Sequence, residues 1–239
     1  MPRTLGESRT DMKQQTTASR ARRPQPDLAT KVQPAQQRAA NTFERILEAA
    51  AQTLDDVGIE RLSTNLVCER AGLTPPALYR YFPNKYALLS ELGRRLMLVQ
   101  NECVGRWIGA EVVLHGEQAL ANALEGLLLD TYETTRRTPA GVWIMRALRA
   151  VPALQEVRLA SHAEVTEAQT RLLAEVLPGV DRAELRLVSR VVVEMIYAAV
   201  EMLFDEAMDA KAVARIVAGM LASQLERSIP AAPPGKPAR

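Results

Sequence analysis
From Phe43 onward, apolar residues return every three or four positions almost to the end of the chain, and this spacing most constrains its fold. A period near 3.6 collects such residues on one face of an α-helix, whereas a half-buried strand needs strict alternation. Phe43, Ile46, Leu47, Ala50, Leu54 and Val57 set the pattern, with Thr42 placed as an N-cap and Gly58 as the stop. The spacing predicts further helices over 63–70, 74–82, 85–107, 117–137, 142–150, 152–177, 181–207 and 209–227. Breakers fall between them at Gly72, Pro83, Gly116, Pro139, Pro152 and Pro178-Gly179, while Asn84, Asp181 and Asp209 stand where helices need caps. Plentiful Ala and Leu with only 4% aromatic residues favour the same reading. No strand-like alternation extends beyond a few residues and no internal repeat is visible. The expected fold class is all-α, about nine helices, with a small N-terminal three-helix unit ahead of a larger helical body.

Charge divides the chain differently. Residues 1–41 hold eight Lys or Arg against three acids, a net +5 in a chain of +2 overall, so the remainder carries −3. This segment and the Pro-rich 229–239 lack an apolar period and are expected to be disordered, since they cannot bury enough to offset ordering. A basic arm on a mildly acidic body also suits a polyanionic partner. The four segments expected are thus an arm (1–41), a small helical domain (42–89), the body (90–228) and a tail (229–239). Cys68 and Cys103 lack the spacing of a metal site or disulfide framework and read as buried thiols in a reducing cytoplasm. No apolar stretch suits a signal peptide or membrane span, so a cytoplasmic location without membrane contact is expected.

Two short helices joined by a glycine turn, the second rich in polar and aromatic residues, make a helix-turn-helix candidate over 63–81. Ser63 and Thr64 open the first of these helices, where hydroxyls and free N–H groups can grip a phosphate or simply cap. Thr74 opens the second and could also reach a phosphate. Ala77 lies on its first turn, fit to touch a thymine methyl, and the Arg80 fork matches guanine O6 and N7. Leu78 and Phe82, four apart, are assigned to the domain's own core. Tyr79 can both pack its ring and extend its hydroxyl.

The run from Ala71 to Lys85, AGLTPPALYRYFPNK, closely resembles the DNA-binding signature of the tetracycline-repressor (TetR) family, and Ile46, Ala50, Leu54, Gly58, Ser63 and Val67 fall at the family's places without a gap. The resemblance covers about fifty residues, 43–89. It implies that Tyr79 and Tyr81 meet the DNA backbone or base edges and that Lys85 contacts a phosphate. It further implies a ligand pocket among the helices of 117–177 and a dimer formed by the last two helices. Pro76 departs from the pattern, where a small residue, often Gly, is usual. The operator sequence therefore cannot be borrowed from a relative.

Beyond 89 the residues say less. The helices of 181–207 and 209–227 are apolar over more than one stripe, which suits a homodimer interface or a thick monomer core. Trp107, Tyr132, Trp143, Met145, Met202 and Phe204 could line an apolar cavity for a hydrophobic small-molecule effector, although residues of these types are more often plain core. His115 and His162 have no ligand-spaced companions, so no metal and no cofactor is expected. Arg136, Arg137, Arg146 and Arg149 suit either an anionic ligand or a solvated face. The function expected is a ligand-responsive regulator, a repressor that binds double-stranded, palindromic operator DNA as a dimer. The alternative is a helical small-molecule-binding protein or enzyme without a DNA role. Against an enzyme stand the two histidines and the lack of GxSxG, P-loop or HExxH motifs.

Overall fold
The structure, a computed structural model, describes residues 25–31 and 37–228. Among them are ten α-helices and no strand: α1 (Gln37–Arg61), α2 (Thr64–Ala71), α3 (Pro75–Tyr79), α4 (Lys85–Trp107), α5 (Ala110–Leu114), α6 (Glu117–Arg137), α7 (Gly141–Ala150), α8 (Gln155–Val176), α9 (Arg182–Asp205) and α10 (Ala210–Ser228). A 3-10 turn, Pro152–Leu154, leads into α8. One helix more than the spacing suggested is present: α5 is a single turn between Gly109 and Gly116, too short to show a period.

Helix α1 starts before Thr42, whose hydroxyl donates back to the Arg38 carbonyl at 3.0 Å instead of capping. The regular helix ends where expected, because Gly58 takes φ 73° and ψ 178°. Phe43, Ile46, Ala50 and Leu54 on its inner face are buried in one core with Leu78 and Phe82. Phe43 stacks on Phe82 at 4.9 Å and meets Tyr81 edge-on at 6.0 Å. Val67 joins this core while Leu66, the residue before it on α2, is exposed.

Helix α4 is the wall shared by both parts of the molecule. It packs on α1 at one end and on α6, α7 and α8 further along. Arg95 bridges Glu44 of α1 through paired bonds of 2.6 and 2.7 Å and also holds Glu91 of its own helix at 2.9 Å. Hydrogen bonding to Arg95 holds the Glu44 carboxyl below its ordinary range. At the other end Trp107 lies over Gly126 of α6, where a Cβ would stand 2.3 Å from the indole. Helix α10 runs along α6 and touches α9, which in turn packs on α8, closing a layer around a central cavity.

Residues 25–31, without regular secondary structure, run against the small domain. The Lys31 N–H donates to the Tyr81 carbonyl at 2.9 Å, Asn84 Nδ2 donates to the Asp27 carbonyl at 2.9 Å, and Leu28 packs on the core. Part of the arm expected to be disordered thus has defined contacts, and α1 reaches back to Gln37. The rest of that expectation, over 1–24 and 32–36, and the tail expected over 229–239 lie outside the described residues.

Candidate nucleic-acid interface and central cavity
The local sequence builds α2, the turn and α3 by capping. Ser63 Oγ accepts from the Leu66 N–H at 3.3 Å. Gly72, left-handed at φ 61°, ends α2 and sends its N–H back to Glu69, while Leu73 N–H reaches Cys68. Thr74 opens α3 through its backbone alone: its carbonyl accepts from Ala77 and Leu78, and its side chain makes no capping bond and stays exposed. Pro75 and Pro76 occupy the first turn, where an N–H has no partner within the helix.

These elements bring Ser63, Thr64, Thr74, Ala77, Tyr79 and Arg80 to solvent-accessible positions on adjoining helix starts and turns. Tyr79 and Thr64 share a hydroxyl–hydroxyl bond of 3.0 Å that ties α2 to α3. Arg80 is exposed at the C-cap of α3. Two residues grouped with them by resemblance have partners within the protein. Tyr81 is only 5% exposed, its ring edge-on to Phe43, because the chain turns inward after α3 to bury Tyr81 and Phe82 together. Lys85 Nζ lies 3.2 Å from the Leu62 carbonyl and 3.4 Å from that of Ile59, tying the start of α4 to the segment that follows Gly58. That charge satisfies carbonyls left open at a helix end.

The central cavity has about 730 Å³ of space, its mouth included, and is walled by α4, α5, α6, α8, α9 and α10. None of the six residues expected to line it does so. Trp107 is 39% exposed and donates its indole N–H to Asp130 at 3.0 Å. Tyr132 packs its ring at a tilt of 32° against Phe204, centroids 4.7 Å apart. Trp143 covers Gly58 and carries Arg146 at 5.5 Å over its ring. Met145 is buried in a smaller recess beside His162, and Met202 is half-buried on α9. Aromatic size singled these residues out, but the wall is mostly Leu, Val and Ile. Helix α7, expected among the pocket helices, contributes nothing to it.

Among the polar residues of the wall, which include Thr131, Gln169 and Tyr197, two stand at apolar positions of their helices. Gln100 interrupts the apolar row Leu89, Leu92, Leu96 on α4, and Ser189 interrupts Leu185, Val193, Ile196 on α9. A polar residue at an apolar position was the available signal. Elsewhere the arginines are paired at the surface: Arg136 and Arg137 hold the Glu133 carboxyl down to about 2, Arg146 meets Asp205 at 2.8 Å and Arg149 meets Glu201 at 2.8 Å. Among the described residues no cluster of His, Cys, Asp and Glu could hold a metal, and no helix is long and apolar enough to cross a membrane.

A family profile, "Bacterial regulatory proteins, tetR family", matches residues 46–92, the segment holding α2, α3 and their packing partners. The class C tetracycline repressor of Escherichia coli is 40% identical over 58 residues, 24% of this chain and 26% of that protein. The matches span about a quarter to a half of the length of the curated relatives. Over the whole fold, a TetR-family regulator from Streptomyces coelicolor superposes with a TM-score of 0.53 at 25% identity, covering 78% of this chain and 99% of that one. A SmeT–triclosan complex gives 0.59 at 21% identity, covering 77% and 91%. Residues 46–92 of this chain thus match the DNA-binding segment of the tetR family of bacterial regulatory proteins, and its all-helical fold is similar to that of a TetR-family regulator.

Proposed function
We propose that this chain is a ligand-responsive transcriptional repressor that binds a palindromic operator as a homodimer and is released by a small hydrophobic effector in the cytoplasm. The observation that carries the reading is the solvent-accessible group on α2 and α3, with half-buried Ser63 and Thr64 and exposed Thr74 and Tyr79 offering hydroxyls to phosphates and Arg80 a guanidinium fork to a guanine edge. Ala77, half-buried beside them, offers a methyl to thymine. In this reading residues 42–89 form the DNA-binding domain and 90–228 the effector and dimerisation domain.

Dimerisation is supported by an uncovered apolar face. Leu187 and Val191 on α9, with Ile216 and Met220 on α10, stand exposed on helices whose other sides are buried. A second copy covering them would set two recognition helices for two half-sites. Coupling is supported by α4, which starts at the small domain and carries Gln100 and Val104 into the cavity wall about 22 Å further on at 1.5 Å per residue. A ligand that favours one tilt of α4 shifts the spacing of the two readers, and only such differential affinity can release DNA.

The experiment is a gel shift against DNA upstream of the chain's own and adjacent genes, repeated with Arg80→Ala. A selective, salt-sensitive complex is expected, with the variant losing more on operator than on random DNA. Absence of any selective complex would overturn the regulator reading, and equal losses would remove Arg80 from base recognition.

A further inference from the structure
The cavity also specifies the chemistry of its occupant, and this inference rests on the reading of the chain as a ligand-responsive regulator. Gln100 is fully buried, and its amide orientation is dictated by its neighbours. Thr135 Oγ1 donates to the Thr131 carbonyl at 2.7 Å, which uses its only proton. It can therefore only accept from Gln100, whose Nε2 lies 2.7 Å away. This directs Gln100 Oε1 to the other side, where it is a buried acceptor without a partner. Ser189 Oγ, on the opposing α9 and 3% exposed, is likewise buried and unpartnered. A serine within a helix commonly returns its proton to the carbonyl four residues back, and Ser189 does not.

Both residues line the central cavity, and no charged side chain does. An unsatisfied buried acceptor carries the full cost of its desolvation, and a donor on a bound molecule would remove that cost. A carboxylate or ammonium there would be stripped of water without a counter-charge. We infer that the cavity takes an uncharged, mainly aliphatic molecule bearing a hydroxyl or N–H group, which donates to Gln100 Oε1, with Ser189 available to a second polar atom.

The test compares n-nonanol with methyl n-octyl ether, its constitutional isomer without a donor, and with nonanoate at about pH 8, where the acid is ionised. Binding is measured by calorimetry on the full chain without DNA. The alcohol should bind on the order of tenfold more tightly than the ether, and nonanoate more weakly than the alcohol. Gln100→Met should bring alcohol and ether together, and Ser189→Ala should leave the alcohol's advantage largely in place. Equal binding of alcohol and ether to the unsubstituted protein, preference for nonanoate, no detectable binding of the alcohol, or an unchanged preference in Gln100→Met would each overturn the inference. Should Gln100→Met not fold, the alcohol-to-ether ratio on the unsubstituted protein decides alone. Operator binding is measured separately, so failure here leaves the DNA-binding reading standing, and failure of operator binding with the alcohol's preference retained would strike the regulator reading alone.

Discussion

Replacing Gly58 with alanine should destabilise the protein more than replacing Gly72, and asparagine should rescue only the second site. Both glycines end helices at positive φ, yet their backbones differ. Gly72 lies at φ 61° and ψ 40°, in the left-handed helical well that asparagine tolerates. Gly58 lies at φ 73° and ψ 178°, a region that is essentially glycine-only and costs other residues about 1–3 kcal/mol. The surroundings widen the gap. A Cβ on Gly58 would meet the Trp143 ring at 3.4 Å, whereas one on Gly72 would find only the end of Arg45 at 3.8 Å. Restricting the unfolded chain returns about 0.4–1 kcal/mol at either site. The net loss is therefore about 1–2 kcal/mol for Gly58→Ala and under about 1 kcal/mol for Gly72→Ala. At roughly 2–4 °C per kcal/mol for a chain of this size, Tm should fall by about 2–8 °C in the first case. Thermal melts followed by far-UV circular dichroism, with urea melts to check cooperativity, provide the measurement. If Gly58→Ala melts with the parent, or if Asn rescues position 58 as well as 72, the backbone reasoning is refuted.

Three other outcomes follow from specific contacts. Lys85→Met should cost about 1–2 kcal/mol in urea melts, because the ammonium satisfies the carbonyls of Ile59 and Leu62. It should leave the salt dependence of DNA binding almost unchanged, and a slope lower by about one would instead return Lys85 to a phosphate. Burial pushes the His162 imidazole below its ordinary range against the opposing hydrogen bond that it donates to the Glu194 carboxylate, so the folded chain resists a proton that the unfolded chain takes up. Stability should thus be held above about pH 6.5 and decline as pH falls from there towards the lowered folded value, with His162→Gln flattening that decline in melts across the window. An equally steep decline in the variant would assign it to other groups. Deleting residues 2–24 removes six Lys or Arg and two acids, so the salt slope of operator binding should become shallower while selectivity over random DNA persists. Lost selectivity would mean that the arm reads bases.

The small domain was legible because its signals are local. Ser63 and Asn84 cap helices by reaching two or three residues ahead, Gly58 and Gly72 stop them through their own backbones, and Leu78 and Phe82 lie four apart. Periodicity over twenty residues likewise revealed most helices of the body, while the single turn of α5 was too short to register. What periodicity cannot decide is which of several apolar faces meets which. Trp107, Tyr132 and Trp143 looked like a cavity lining because they are large, yet each found a neighbour far along the chain: Gly126 with Asp130, Phe204, and Gly58.

Sequence alone, then, determined the all-α class, nearly every helix and the group of residues at the turn between α2 and α3, since all of these rest on contacts within a few residues. Tertiary structure decided the burial of Tyr81, the carbonyl partners of Lys85, the position of the cavity and the open acceptor on Gln100. These depend on partners such as Phe43, Leu62 and Thr135, which lie 38, 23 and 35 residues away. A side chain's role there is settled by which distant group competes for it, and spacing along the chain does not carry that information.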